Sequence, residues 1–352
     1  MREMYSGCRV GVVVPAYNEE RQIGKVLSTM PDFVDNIVVI DDHSSDATLE
    51  QLSEWGKRLG RRLAVIEHTR RMGVGAGIMH GYKHALELDC DVVAVMAGDG
   101  QMDPNDLATI IEPVTSGRAD YSKGNRLFTG EAWKKTPHVR YLGNAFLSML
   151  TKIASGYWHV ADSQSGYTAI SRAALESLDL DHIYPSYGYP NDVLIRLNVN
   201  SFPVADVPVH PRYGIGERSS MNIFKVIPTV SLLLWRGFVY RMLLKYVVKD
   251  FHPLVFFYAF GGLFLFAGVA LGILEAVLKV FTGEIVTATI VLVALLLIGG
   301  LQFLLFAMWF DMDNNKALKA APAPARPTRK PVVEVELARE LSPTAELTRT
   351  GN

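Results

Sequence analysis

Two uninterrupted apolar blocks constrain this chain more than any other feature. Leu254–Leu274 (LVFFYAFGGLFLFAGVALGIL) and Ile285–Phe310 (IVTATIVLVALLLIGGLQFLLFAMWF) contain no charged residue. A helix needs roughly 20 apolar residues to cross the hydrocarbon core of a bilayer, and both blocks qualify. The short connection around Lys279–Glu284 implies an antiparallel transmembrane hairpin with both flanks on one side. Arg236, Arg241, Lys245 and Lys249 precede it, Lys316, Lys319, Arg326, Arg329 and Lys330 follow it, and the connection offers only Lys279. Positive-inside bias therefore places the N-terminal region and the tail in the cytoplasm. The expectation is a multi-pass protein of the cytoplasmic (inner) membrane with both termini cytoplasmic. The opening MREMYSGCRVGVVVPAYNEE lacks an apolar stretch of signal-peptide length.

Residues 222–250 join the N-terminal region to the hairpin. Arg241, Lys245 and Lys249 fall at i, i+4 and i+8, and Trp235 and Tyr240 suit the headgroup level. This pattern predicts amphipathic interfacial helices with a cationic face, broken near Pro228. The division expected is 1–221 for a catalytic domain, 222–250 for interfacial helices, 251–312 for the hairpin and 313–352 for a tail. The tail, rich in Ala and Pro, reads as extended, with VEVELAREL able to add a short helix. A net charge of −1 gives no electrostatic case for nucleic acid. Two cysteines, Cys8 and Cys90, make neither a disulfide framework nor a zinc pattern.

Before the membrane segment, short β-rich runs alternate with helical spacing. Val10–Val14, NIVVIDD, LAVIEHT and CDVVAVMAGD read as strands, each followed by a helix-like segment. That alternation implies an α/β fold with a mostly parallel sheet covered on both faces. Ligands of such sheets bind outside the carboxyl ends of the strands. The polar clusters Tyr17–Glu19, Asp41–Asp42 and Asp99–Asp103 all stand there, so one site built from three strand ends is expected. In VVAVMAGDGQMDPNDL, oxygen ligands at a strand end suggest a hard cation. Asp103 precedes Pro104 and is a candidate helix cap; Ser45 and Asp46 are candidate caps for the helix after the second strand. RRMGVGAGIMHG carries Gly73, Gly75 and Gly77, but at the third turn and out of dinucleotide register, with His80 in place of a third glycine. A glycine turn at a helix N-terminus can still receive phosphate.

The ordered set VVVPAYNEE, VVIDDHSSDAT, GVGAG with GYKHAL, and GDGQMDP resembles glycosyltransferase family 2 with its GT-A fold. YSKGNRLFTG, VRYLGNAFLSMLTKI, DSQSGYTAISRAAL and RYGIGERSSM narrow the likeness to the polyprenyl-phosphate group, which includes dolichol-phosphate mannose synthase. The likeness spans roughly residues 9–225. It implies a GT-A nucleotide-sugar-binding domain with a mixed, mostly parallel sheet. The implied activity is inverting, Mg²⁺- or Mn²⁺-dependent transfer of one sugar from a nucleotide diphosphate-sugar to a membrane polyprenyl phosphate, dolichyl or undecaprenyl. GDP-mannose, UDP-glucose and UDP-N-acetylglucosamine all fit as donors, and a homo-oligomer is left open.

Residue by residue, the resemblance assigns Pro15, Tyr17, Glu19, Asp41, Asp42, Gly75 and Asp99 to the nucleotide-sugar. Asp99 and Gln101 match the metal pattern Asp-x-Asp-x-Gln, whose first Asp position holds Ala97. Magnesium commonly keeps waters and takes one or two protein carboxylates plus phosphates, so this loss need not abolish the site. Arg126 and Arg140 match acceptor-phosphate arginines, and Arg212 and Arg218 stand on a loop able to close over phosphates; Arg suits bidentate contact with such groups. A phosphate acceptor is already anionic near neutral pH, which reduces the demand for a general base. Asp162 is therefore read as a sugar-contacting and orienting group, and Asp192 as either a base-position residue or a structural one. Two other readings are a glycosyltransferase acting on a polysaccharide or glycolipid, and a silent membrane scaffold that binds nucleotide or lipid. The first lacks a Q-x-x-R-W segment; the second has only Ala97 in its favour.

Overall fold

The computed structural model describes residues 5–127, 138–212, 223–284 and 286–321. Seven strands form one sheet: β1 (Val10–Ala16), β2 (Asn36–Asp41), β3 (Leu63–Glu67), β4 (Val92–Val95), β5 (Tyr121–Asn125), β6 (Thr168–Ser171) and β7 (Val204–Pro208). Their order is β3-β2-β1-β4-β6-β5-β7. Only β6 runs against its neighbours, so β1, β2, β4 and β5 all end at the same edge. The sheet is the mixed, mostly parallel one of a GT-A fold.

The strands are apolar on both faces because both are covered. Val12, Val14, Val92 and Ala94 pack under α1 (Ile23–Ser28), α2 (Thr48–Leu59) and α4 (Leu107–Thr115). Val13, Val93, Val95 and Tyr121 pack under α3 (Val74–Glu87), α6 (Arg172–Glu176) and α7 (Tyr189–Val199). Asp46 accepts from the Thr48 N–H and hydroxyl at the start of α2, although Ala47, not Asp46, holds the N-cap position. Ser45 does not; its N–H donates to Asn18 Oδ1.

Helix α5 (His138–Ser155) and α7 carry α8 (Ile223–Leu243), with Leu147, Ala154, Ile195, Val230 and Leu234 closing a small separate core. Two expectations about this segment are corrected. First, α8 runs unbroken through Pro228, which forfeits one backbone hydrogen bond without ending the helix. Second, Arg241, Lys245 and Lys249 do not form a solvated cationic face. Arg241 is fully buried. Lys245 donates to the Asn198 carbonyl and side chain, and Lys249 to the Val199 carbonyl and Asn200. These acceptors lie at the C-terminal end of α7, where unpaired carbonyls and the helix dipole favour cations. The outward face of α8 carries Trp235, 64% exposed, with Leu232, Val239 and Leu243, and beside them exposed Arg236 and Tyr240.

After a π-type turn, Leu244–Lys249, come α9 (Leu254–Thr282) and α10 (Thr287–Asn314). They pack antiparallel, Gly261 against Leu304, Gly268 against Leu297 and Gly300 against Leu265, so closely that a Cβ at Gly261 would stand 2.8 Å from Leu304. Gly283, at φ +75°, ends α9 in the left-handed conformation of a C-cap. Three helical stretches, Val226–Lys249, Leu254–Thr282 and Thr287–Asn314, are long and apolar enough to cross a membrane. The chain then returns to the sheet: the Ala320 N–H donates to the Val204 carbonyl on edge strand β7. Residues 313–320, expected as the start of a loose tail, are therefore folded onto the domain. The remainder of the tail, residues 322–352, lies outside the described residues.

Candidate active site

The common edge of β1, β2, β4 and β5 assembles the polar residues. The Gly98 N–H donates to the Pro15 carbonyl, fastening the loop after β4 to the end of β1. A Cβ on Gly98 would stand 3.1 Å from that carbonyl, so close an approach needs glycine here. Asp99 follows; its Oδ1 accepts from the Gln101 N–H at 3.0 Å, a tight Asx turn. Asp99, Gln101, Asp103, Arg126, Tyr167 and His210 line one cleft. Asp103 is occupied on both sides: Oδ1 accepts from the Asn105 N–H, capping the turn at Pro104–Asp106, and both oxygens receive the Arg212 guanidinium at 2.8 and 3.1 Å. The capping expectation for Asp103 holds, and Arg212 is held at the cleft by that pair.

Glu19 stands at the end of β1, its N–H donating to Thr48 Oγ1. Burial, with the nearby charges of Asp99 and Asp46, pushes its carboxyl up to about 7. The Tyr17 ring lies under the Arg71 guanidinium at 4.0 Å. Asp41 and Asp42 are both buried, yet differently engaged. Ser44 holds Asp41 through its N–H at 2.9 Å and its hydroxyl at 2.5 Å. Asp42 accepts from the Met72 and Gly73 N–H groups at 2.7 and 2.9 Å and faces His68 Nδ1 at 2.8 Å. Burial opposes its ionisation, but these hydrogen bonds outweigh it and hold the carboxyl below its usual range. His68 Nε2 in turn meets His80 Nδ1 at 2.9 Å. Asp42 thereby fixes the glycine turn from beneath. The other side of that turn packs on backbone: a Cβ on Gly75 would stand 2.5 Å from the Tyr184 carbonyl oxygen.

At the end of β5, Arg126 grips Asp162 bidentately, Nε to Oδ2 at 2.7 Å and Nη2 to Oδ1 at 3.1 Å. Asp162 is 3% exposed, while a third of the Arg126 side chain remains accessible from the cleft. Burial works against the Asp162 charge; Arg126, and then Lys123, more than compensate, and its carboxyl sits below the usual range. Asp192, on the first turn of α7, accepts from the Tyr184 N–H at 2.9 Å and pairs with Arg196 at 3.2 Å. It tethers the loop that supports Gly75 and does not line the Asp99 cleft. Arg140 belongs to α5, though its side chain lies outside the described residues, as does the whole of Arg218.

Sequence reading missed Lys123, Asp206, Arg71, the His68–His80 pair and the His210–Asp106 contact. A lysine inside the strand run YSKGN was the available signal for the first. The others depend on loops meeting across the sheet edge.

The sheet edge gathers a carboxylate and amide at one strand end, buried aspartates at another and an arginine at a third, the arrangement expected of a GT-A transferase. The model of glycosyl transferase family 2 matches residues 11–179. A UDP-N-acetylglucosamine–dolichyl-phosphate N-acetylglucosaminyltransferase of Methanococcus voltae is 32% identical over 238 residues, covering 63% of this chain and 94% of that protein. A polyprenol monophosphomannose synthase of Mycolicibacterium smegmatis is 28% identical, over 61% of this chain and 83% of its own length. The chain belongs to glycosyl transferase family 2, in its polyprenyl-phosphate group. Among solved structures, glucosyl-3-phosphoglycerate synthase from Mycobacterium tuberculosis, crystallised with Mn²⁺, uridine diphosphate and phosphoglyceric acid, shares the fold. It has a TM-score of 0.50 and 19% identity, covering 67% of this chain and 79% of that one.

Proposed function

We propose that this glycosyltransferase moves one sugar from a nucleotide diphosphate-sugar to a polyprenyl phosphate held at a membrane surface, with inversion. One observation carries the reading. The Asp99–Gln101 turn and Arg126, which is held by buried Asp162 behind it, line a single cleft in a domain joined to apolar helices of membrane-spanning length.

The donor set suits a hard divalent cation in a limited way. Asp99 offers a carboxylate and Gln101 an amide oxygen, whereas Asp103 is spent on Arg212 and on its cap. Among the described residues no cluster of three or more His, Cys, Asp or Glu side chains could hold a metal. Asp99 and Gln101 would thus hold Mg²⁺ or Mn²⁺ jointly with the donor diphosphate and water, as Ala97 leaves no second carboxylate. When bound, the ion supplies charge stabilisation to the departing diphosphate.

The protein's own groups do the rest. Tyr17, stacked on Arg71, and the strand-end carboxylates Asp41 and Asp42 shape the nucleoside side. Arg126 carries two N–H groups of the geometry a phosphate monoester accepts, held on Asp162 until the acceptor arrives. The acceptor oxygen attacks the anomeric carbon as the bond to the donor phosphate breaks. That oxygen is already anionic, so no residue must remove a proton. Arg212, on its Asp103 tether, completes a cationic rim. Helices α9 and α10 span the membrane, α8 lies along its surface, and the catalytic domain is cytoplasmic.

The two named relatives differ in sugar, so the test varies the donor. Full-length protein in detergent is incubated with Mn²⁺ or Mg²⁺, polyprenyl phosphate, and GDP-mannose, UDP-glucose or UDP-N-acetylglucosamine in turn. Lipid-linked sugar from one donor, lost in Asp99→Ala and on chelation, is expected. Nucleotide binding without any lipid-linked product would overturn the reading.

A further inference from the structure

Lys123 lies in the middle of β5, three residues before Arg126, and is 0% exposed. Its register partners are Thr168 on β6 and Asp206 on β7, so all three side chains share the face covered by α3 and α7. Tyr121, the preceding residue on that face, is buried in apolar core, and Asn125, the next, binds Asp206 Oδ2 at 2.8 Å. The strand passes from core to amide to arginine as it nears the cleft, with a lysine inserted in between. Lys123 Nζ donates to the Ser165 carbonyl, on the segment that also carries Asp162. Three ionisable groups face it: Asp162 from the loop after α5, Asp206 from β7 and Arg126 from its own strand end.

A lysine in such a place is costly unless its charge is used. The catalytic proposal creates the need for one. Arg126 already satisfies Asp162 through two side-chain hydrogen bonds and a longer one from its backbone N–H at 3.3 Å. For Arg126 to give those N–H groups to an incoming phosphate, it must loosen its hold on a carboxylate that is 3% exposed. That carboxylate would then be buried with one long backbone N–H and no arginine charge, a state proteins avoid. A second cation beneath it removes the penalty.

We propose that Lys123 is the standing counter-charge for Asp162, which lets Arg126 turn toward the acceptor phosphate. It is a positioning residue: it touches neither donor nor acceptor. The inference rests on the reading of Arg126 as the acceptor-phosphate arginine.

A pH signature follows. Burial, followed by the charge of Arg126 and opposed by Asp162 and Asp206, brings the Lys123 ammonium down to about 7. As Arg126 moves off, the repulsion falls and the attraction of Asp162 grows, so acceptor binding favours protonated Lys123. Above about pH 7 the acceptor therefore binds with proton uptake, and its KM rises with pH. The acceptor's own second ionisation acts in the opposite direction, since it completes the phosphate dianion.

The experiment uses full-length protein in detergent, a short-chain isoprenyl phosphate as acceptor and the donor that supports turnover. KM for each substrate is measured from pH 6 to 9 for wild type, Lys123→Met, Lys123→Arg, Asp162→Asn, Lys123→Met/Asp162→Asn and Arg126→Ala. Lys123→Met should raise the acceptor KM about tenfold at pH 6.5, leave the donor KM within about twofold and flatten the pH dependence. Lys123→Arg should restore the acceptor KM at pH 8 and above, because its charge does not titrate there. The double variant should lose no more than Asp162→Asn alone, since removing the anion removes the need for its partner. An unchanged acceptor KM in Lys123→Met, beside a raised one in Arg126→Ala, would overturn this inference and leave the functional reading standing. An unchanged acceptor KM in Arg126→Ala would instead overturn the reading of Arg126. Should Lys123→Met fail to fold, Lys123→Arg decides: an acceptor KM at pH 8 to 9 no lower than that of wild type refutes the proposal.

Discussion

Replacing Arg241 or Asp311 singly should release α10 from the catalytic domain. The two side chains are fully buried and paired by two hydrogen bonds of 2.7 and 3.0 Å. Arg241 also donates to the Ala154 and Ile153 carbonyls at the end of α5. Asp311 also accepts from Trp158 Nε1, Tyr246 Oη and Asn315 Nδ2. One ion pair thus ties α8, α10 and the loop after α5 together. Removing one partner of a buried pair costs about 3–5 kcal/mol, because the other charge is stranded. Even 3 kcal/mol lowers the melting temperature by about 4 °C in a chain of 352 residues. Replacing both by apolar residues of similar volume strands nothing and should cost less than either single change. The assay is a double-mutant cycle, Arg241→Met, Asp311→Leu and both together, read by thermal unfolding in detergent. A coupling energy under about 1 kcal/mol, with the double variant as unstable as the sum of the singles, would refute the buried-pair argument.

Other expectations concern the site itself. Asp99→Ala should abolish transfer with an unchanged melting temperature, whereas Ala97→Asp should lower the Mn²⁺ concentration for half-maximal rate about tenfold by adding a carboxylate. Gly75→Ala places a methyl 2.5 Å from the Tyr184 carbonyl oxygen and 2.7 Å from Pro185 C; it should cost about 1–3 kcal/mol and raise the donor KM, measured by melting and initial rates. Asp42 has a carboxyl held below its ordinary value of 3.8 despite burial, chiefly by His68 and two backbone N–H groups. Its contribution to stability is complete above that value and is lost as pH falls through the lower folded one. Asp42→Asn should therefore be less stable than wild type at pH 6 and approach it at pH 3, by thermal melts.

Local chemistry made much of this fold legible. The VGVVV and VVAV runs could be buried only in a covered sheet, and polar residues could follow them only at its edge. The two charge-free blocks could be satisfied only as long helices. The strand-end position of Asp99 and Gln101 was legible for the same reason, as was the cap at Asp103, whereas Arg126 was singled out only by the family resemblance. The cations of residues 222–250 were misread because spacing shows which residues share a face, not what that face meets. Lys245 and Lys249 found the carbonyl end of α7, a partner some 50 residues away in the chain.

By itself, the sequence determined the alternation of strand and helix, the common edge of the sheet and the length of the membrane segments. These follow from backbone hydrogen bonding and the burial of apolar side chains, which depend on neighbours a few residues apart. Only the tertiary structure decided which charges are spent. Asp42 is committed to the glycine turn, Asp103 to Arg212, Asp192 to the Tyr184 loop, Arg241 to Asp311, and Lys123 to the Ser165 carbonyl. A charge removed from water must find its partner in space, and packing rather than sequence spacing sets which groups come within reach.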